Sequence, residues 1–531
     1  MCGAPNARRP DPSLLLRPLR PAVSCGTTPG AHGGALNLAP WMTSDLPALG
    51  GWRRTCAFTV VAIAFVMDLL DVTIVNVGLP AIGQHLQAGA DQVAWIVAGY
   101  ALSFAVLLVA GGRLGDLFGH RTMFMWGVGS FTVASLACGL ANTAGLLVGA
   151  RLVQGACAAV MVPQVLALMQ WMYAPHERMR AFTIFGLLGG VSSALGPVLG
   201  GLMIDADVAG LGWRLIFLIN LPVGLLALAG ALRLLPRDPA MPDTPLDLPG
   251  TLWCLLAATA WVVPLVQGPE HGWTLPLLAW LATAPAWTWA LWRHCVQLEA
   301  RGGSPIMQPA LLHDRGYRLG LLLSLACTGL LPAYLFVLTF AWQVGAGLSA
   351  TQMSLLCMPI ALGVMLSVTT LGKLAFARLG GRCILLGLLI QAAGIALMWA
   401  IGEGWLGEPV SQVLRWPGWL AQGMLGLGVG FIGPPLTAVT LHAVPREQAG
   451  GASGVVNAGR QFASVAAIAL VAALVHADRG VSLSPHTLQQ ALPGLGLLLL
   501  ISLWVAWRLP QTAAGAPAAG AQAPADPGTH P

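Results

Sequence analysis

Four ionisable side chains interrupt long apolar stretches of this sequence: Asp68, Asp71, Arg151 and Arg460. A charge surrounded by hydrocarbon is costly, and residues of this kind mark proton, ion or substrate pathways. Asp68 and Asp71 stand three positions apart and share one helix face. Two neighbouring carboxylates in a low dielectric cannot easily both ionise, which suits the pair to taking up and releasing a proton. Either could instead be a hydrogen-bonded group that only locks helix packing. Arg151 cannot discharge, so its charge needs an acceptor, and Asp71 is the candidate partner. Gln154 lies about one helical turn beyond Arg151 and extends the polar track. Asn76 and Arg460 complete the residues expected to line a polar cavity.

The elements that position these residues must be membrane-spanning helices. Of the 531 residues, 56% are hydrophobic and only 9% charged, against roughly 25% charged in a soluble domain. The apolar residues come in runs of about twenty, the length that crosses a hydrocarbon core of about 30 Å. An outer-membrane barrel would instead show alternation over about ten residues. Fourteen spans are read, near 56–80, 91–112, 122–141, 145–171, 181–203, 215–235, 248–268, 274–292, 319–341, 352–372, 383–401, 417–441, 454–475 and 490–508. The net charge of +6 does not point to nucleic acid, because the basic residues sit between the runs. Loops carrying Arg113 and Arg121, Arg178 and Arg180, Arg233 and Arg237, Arg293 to Arg318, Lys373 to Arg382, and Arg446 fall on the side of the N-terminus. The opposite loops hold Arg214, Arg415 and Arg479. The positive-inside rule then makes both termini cytoplasmic in an inner (plasma) membrane.

Residues 1–55, rich in Pro, Gly and Arg, read as a disordered cytoplasmic tail, or as a segment upstream of a true start at Met42. N-terminal sequencing of natively expressed protein separates these two. Residues 509–531 read as a second disordered cytoplasmic tail. A faint repeat links the loop Gly112–Arg121, with Gly115, Asp116 and Gly119, to the loop Gly372–Arg382, where Ala377 takes the acidic position. The repeat divides the chain into a six-helix bundle over 56–235, a linker with two extra helices over 236–314, and a second six-helix bundle over 315–508. Parallel repeats around a midplane site are a common transporter plan. In the fifth span Gly196, Pro197, Gly200 and Gly201 combine a kink with close helix approach.

Five stretches resemble the major facilitator superfamily, specifically its fourteen-helix drug:proton antiporter branch: Leu70–Pro80, Gly112–Arg121, Arg151–Gly155, Gly196–Gly201 and Trp213–Gly224. A sixth, Gly451–Gln461, is similar to the start of the family's thirteenth span. The resemblance covers about 56–508 and implies an all-α membrane protein with two six-helix bundles and a central two-helix insertion. It places Asp71 and Arg151 in proton transfer, makes the Gly112–Arg121 loop a gate that braces the two halves, and gives Gly196-Pro197 the character of an exporter. Leu117 and His120 stand where the family has basic residues, so the latch would rest on Asp116 and Arg121. The implied activity is proton-coupled export of drugs or other small amphipathic molecules by alternating access, with uptake symport on the same fold as the alternative.

No enzyme chemistry is legible: there is no nucleophile constellation, no GxxxxGK[ST] loop for ATP and no metal-ligand spacing among the ten cysteines. The proton gradient would be the energy source, with no cofactor. Expected partners are the lipid bilayer and a small-molecule substrate, with no nucleic acid and a monomer as the working unit. Family analogy leaves room for a periplasmic adaptor protein, which the short outer loops do not demand.

Overall fold

The structure, a computed structural model, describes residues 51–509 except 174, 237–246, 304, 442, 443, 445–448 and 477–486. The expected tails and the start at Met42 therefore lie outside the described residues, apart from positions 51–55 and 509. All regular structure among the described residues is helical, as hydrocarbon requires of a chain that cannot pair its backbone with water.

Fourteen long helical segments follow one another. In the first bundle they are α1 Gly51–Leu86, α2 Ala90–Phe118, α3 His120–Gly139, α4 Ala144–Met172, α5 Pro175–Ala206 and α6 Gly212–Leu234. Next come α7 Leu248–His271 and α8 Leu275–Ala300. The second bundle comprises α9 Arg315–Val344, α10 Ala350–Leu379, α11 Arg382–Gly402, α12 Trp416–Leu441, α13 Ala449–His476 and α14 Thr487–Arg508. Eleven are long and apolar enough over their described residues to cross a membrane. In α5 and α14 the described apolar pieces are shorter, Leu195–Ala206 and Gly494–Arg508. Helix α8 is interrupted by Trp280, Trp287, Trp289 and Trp292, which lower its hydropathy without shortening it. Helix α1 begins inside the segment expected to be tail, so residues 51–55 are helical.

Polar side chains close the helix ends. The Ser349 hydroxyl accepts from the Gln352 amide at 3.2 Å while the Gln352 side chain accepts from the Ser349 amide at 3.0 Å, a reciprocal cap on α10. Asp314 accepts from Tyr317 N at 2.7 Å to start α9, and Asp247 from Gly250 N at 2.8 Å to start α7. Gly119, at φ +87°, makes the sharp turn from α2 to α3 that a side chain would strain.

Within the first bundle α4 packs on α2 and α3, and α1 on α5 and α6; within the second, α12 packs on α9, α10 and α11. The bundles meet where α5 packs on α10 and α2 on α13. The extra pair is not a spacer between them. Helix α7 lays Ala258, Val262 and Val266 on the α2–α13 seam, against Ala98 and Leu102 of α2 and Val465 and Ala469 of α13, and α8 packs on α7.

Small residues set how closely these helices approach. A Cβ on Gly363 of α10 would stand 2.5 Å from the Gly423 carbonyl oxygen and 2.7 Å from Leu427 N of α12, whereas a Cβ on Gly423 meets nothing within 4 Å. Gly363→Ala should therefore lower the unfolding temperature in detergent by several degrees, on the order of 1–3 kcal/mol. Gly423→Ala should leave it unchanged or slightly raised, because alanine favours the helix.

Candidate functional site

Arg151 of α4 is 1% exposed and Asp71 of α1 is fully enclosed. Arg151 Nη1 donates to Asp71 Oδ2 at 2.5 Å, so the structure brings these two together. The same nitrogen donates to Gln154 Oε1 at 2.7 Å, and Arg151 Nε donates to the Ile96 carbonyl of α2 at 3.0 Å. The other oxygen of Asp71 accepts from Gln154 Nε2 at 2.8 Å and from Asn220 Nδ2 of α6 at 2.8 Å. Both amides also donate to the Ser135 hydroxyl of α3, at 2.8 and 3.2 Å. The Tyr100 ring of α2 lies 4.3 Å from the guanidinium carbon, within cation–π range. Tyr100 OH donates in turn to Asp68 Oδ1 at 2.5 Å.

This constellation puts two buried carboxylates in different surroundings. Asp71 faces a full positive charge and two amide donors, while Asp68 receives a neutral phenol. Asp71 is thereby held as the counter-ion of Arg151, and Asp68 is the group whose proton is not fixed by a direct ion pair. Sequence reasoning did not single out Tyr100, Ser135 or Asn220 as site residues, although Asn220 falls in the stretch Trp213–Gly224. A neutral polar residue costs little in a membrane helix, so nothing in the sequence distinguishes these three until the helices are assembled.

Of the network, Tyr100 and Arg151 reach a cavity of about 230 Å³ between the bundles, lined on the first side also by Thr73 and Asn76 and on the second by Gln461 and Ser464 among mostly apolar residues. Asn76 donates to the Val72 carbonyl of its own helix at 3.2 Å. A drug-sized ligand needs roughly 300 Å³ or more, so the halves must separate to admit one. Behind the pair a second, apolar recess of about 530 Å³ between α1, α5 and α6 reaches Asp71 and Asn220. Arg460 of α13 does not join the Asp71 network: its Nη2 donates to Thr437 Oγ1 at 3.0 Å and to Ser324 Oγ at 3.5 Å.

The residues expected to gate are placed as follows. Asp116 Oδ1 lies 3.7 Å from His120 Nε2, and His120 Nδ1 lies 2.8 Å from Gln164 Oε1 of α4. Gln164 Nε2 donates to the Gly111 carbonyl at 2.8 Å, and a Cβ on Gly115 would collide with Gln164 and His120. Gly112 has ordinary clearance, 3.7 Å from Pro163 Cβ. Arg121 Nη2 donates to the Leu232 carbonyl at the end of α6 at 2.8 Å. These described contacts tie α2, α3, α4 and α6 together inside the first bundle. Between the bundles, α5 makes close contacts. A Cβ on Gly196 or Gly200 would collide with Thr73 and Ile74 of α1, and one on Gly201 with Ala350 and Ser354 of α10. The Pro197 carbonyl accepts from Ser354 Oγ across the seam.

Residues 61–468 match the sequence model of the Major Facilitator Superfamily. The chain belongs to the major facilitator superfamily. Its relatives there include a probable actinorhodin transporter of Streptomyces coelicolor, 34% identical over 80% of this chain and 72% of that protein. The methylenomycin A resistance protein of the same organism is 33% identical over 88% and 95%. The tetracenomycin C resistance and export protein of Streptomyces glaucescens is 31% identical over 82% and 78%. This major facilitator protein thus stands among the drug and antibiotic exporters of the superfamily. A solved proton-dependent oligopeptide transporter shares the fold at TM-score 0.59 and 16% identity, over 86% of this chain and 98% of that one. A human organic anion transporter does so at 0.55 and 14%, over 85% and 99%.

Removing one partner of a buried ion pair leaves the other uncompensated, at a cost of about 3–5 kcal/mol. Arg151→Gln and Asp71→Asn should each lower the thermal stability of the purified protein. The double variant should be more stable than Arg151→Gln alone. Simple additivity of the two losses would show that the pair does not interact.

Proposed function

We propose that this protein is a proton-coupled antiporter that exports small amphipathic molecules from the cell by alternating access. One observation carries the reading: Arg151 and Tyr100 line a mostly apolar cavity between the two bundles, and each is bonded to a buried carboxylate behind that lining, Asp71 and Asp68. Proton uptake by Asp68, or by Asp71 once its amide donors shift, changes the charge behind that wall. Coupling follows if the proton and the substrate favour different arrangements of the halves. The relatives named for actinorhodin, methylenomycin A and tetracenomycin C support export of drug-like molecules over uptake.

The arginine distribution supports an inner-membrane setting with both termini cytoplasmic. With that orientation, the described side-chain hydrogen bonds that join the bundles lie toward the outer end. Gln343 Nε2 donates to the Val77 carbonyl at 3.2 Å, Thr351 N to Asp205 Oδ2 at 2.8 Å, and Ser354 to Pro197. Asp205 thereby places a carboxylate at the N-terminus of α10 from the opposite bundle, where the helix dipole favours it. The arrangement suits a state closed to the outside.

Everted membrane vesicles test the reading. Acidifying the vesicle lumen should drive accumulation of an exported dye by the wild type, and Asp71→Asn should reduce the pH-driven component at least about tenfold, the scale set by losing a positioned proton-transfer group. Accumulation on alkalinising the lumen would show uptake polarity. Full pH-driven transport by Asp71→Asn would remove that residue from coupling.

A further inference from the structure

The second bundle contains a charge that no described carboxylate pairs with. Among the described residues between 315 and 508 the acidic side chains are Glu403 and Glu408, both between α11 and α12 rather than within a membrane-spanning helix. Arg460 sits in the third turn of α13, partly buried, with its guanidinium turned toward α9 and α12. Guanidinium offers five donors and cannot lose its charge. Its described partners are two neutral hydroxyls, Thr437 at 3.0 Å and Ser324 at 3.5 Å. Among the described residues no carboxylate pairs with it, in contrast to Arg151, which has Asp71. Charge desolvated without a counter-ion is costly, so an anion brought to Arg460 would be stabilised there.

Its place indicates which anion. Gln461, the next residue, and Ser464, whose hydroxyl donates to the Arg460 carbonyl at 3.1 Å, both line the central cavity. Arg460 therefore stands next to two lining residues of the cavity, with its guanidinium on Thr437 and Ser324, and α9, α10, α12 and α13 carry no Asp or Glu to face it. In the first bundle the cavity wall presents Arg151, not a carboxylate, with Asp71 on its far side. The fixed charges nearest the cavity, Arg151 in its lining and Arg460 next to it, are both positive.

We infer that Arg460 is an anion-recognising residue of the substrate path, and that the exported molecules are amphipathic anions bearing a carboxylate, sulfonate or phenolate. This inference rests on the export reading for its direction, but the binding it describes does not. A planar guanidinium takes such a group through two parallel hydrogen bonds, and Thr437 and Ser324 hold the fork in place. An apolar cavity then covers the rest of the molecule.

The test is binding to the full-length protein in lipid nanodiscs, read by fluorescence anisotropy. The probes are fluorescein, an anionic xanthene dye, and rhodamine 6G, a cationic dye on the same ring system. Wild type should prefer fluorescein, and Arg460→Gln should weaken fluorescein binding at least about tenfold, the loss of one charged hydrogen-bond partner. Rhodamine 6G should change by less than about twofold in that variant, and Arg460→Lys, which keeps the charge but not the planar fork, should restore only part of the fluorescein affinity. On the wild type itself, benzenesulfonate should displace fluorescein and benzamide should not. Unchanged fluorescein binding in Arg460→Gln, a parallel loss of both dyes, a wild-type preference for the cation, or equal displacement by benzamide would each overturn the assignment. Vesicle polarity is scored separately, so an error in transport direction and an error at Arg460 give different results.

Discussion

Arg151 keeps its charge at any pH a cell meets, and a bilayer interior offers no water to share it. The first bundle is organised around that guanidinium. Helix α1 supplies Asp71, α2 the Ile96 carbonyl and the Tyr100 ring, α3 Ser135, α4 Gln154 and α6 Asn220. A slip of one turn in α1, α4 or α6 would break a charge-assisted bond in a low dielectric, where such bonds are strongest, and one in α3 would remove the Ser135 acceptor from both amides. The bundle is thereby held to one register and behaves as a unit. Contacts between the bundles are of a different kind: hydroxyl to carbonyl, amide to carbonyl, and one carboxylate at an exposed helix end. Strong ties inside a body and weaker ties between bodies are what a rocking motion requires.

The two bundles differ in their polar cores. In α9, α11 and α12, the first, third and fourth helices of the second bundle, the buried polar side chains include Tyr334, Gln391 and Gln422, all neutral. Nothing in that set can hold or release a proton at neutral pH, since a phenol titrates near pH 10 even in water. Among the described residues the charge in the middle of a second-bundle helix is instead Arg460, on α13. The difference separates proton handling from ligand recognition on the reading proposed for this chain, with one task in each half and a shared cavity between them.

Much of this was legible in the sequence because intramembrane charge is conspicuous. Asp68, Asp71, Arg151 and Arg460 stand out in apolar runs, and short-range spacing puts Gln154 beside Arg151. Tyr100, Ser135 and Asn220 were not legible as partners, because a neutral polar residue can face a neighbouring helix or its own backbone, and Asn76 does the latter. Span ends were blurred for a related reason. Hydropathy reports the segment within hydrocarbon, while backbone hydrogen bonding carries α1 out to Gly51 and Leu86. The seat of α7 was hidden because a helix apolar on every side gives no sign of which face meets protein and which meets lipid. Ala258, Val262 and Val266 resemble their exposed neighbours Leu252 and Leu255 in all but position.

The glycines of α5 connect the two kinds of contact. Thr73 and Ile74 follow Asp71 by less than a turn, and α5 rests directly on them, with the Cβ position of Gly200 only 2.8 Å from Ile74 Cγ1. One position beyond Gly200, Gly201 meets the backbone of Ala350 in α10, and the Pro197 carbonyl takes the Ser354 hydroxyl. Closely packed helices transmit displacement because there is no flexible side chain between them to absorb it. A shift of α1 that follows a change in Asp71's hydrogen bonds would therefore reach the seam through a single helix. Larger residues at Gly196 and Gly200 would force α5 away from α1, while Gly201 would still hold it to α10. The spacing of small residues along this helix is what keeps the charged network and the inter-bundle seam in mechanical contact.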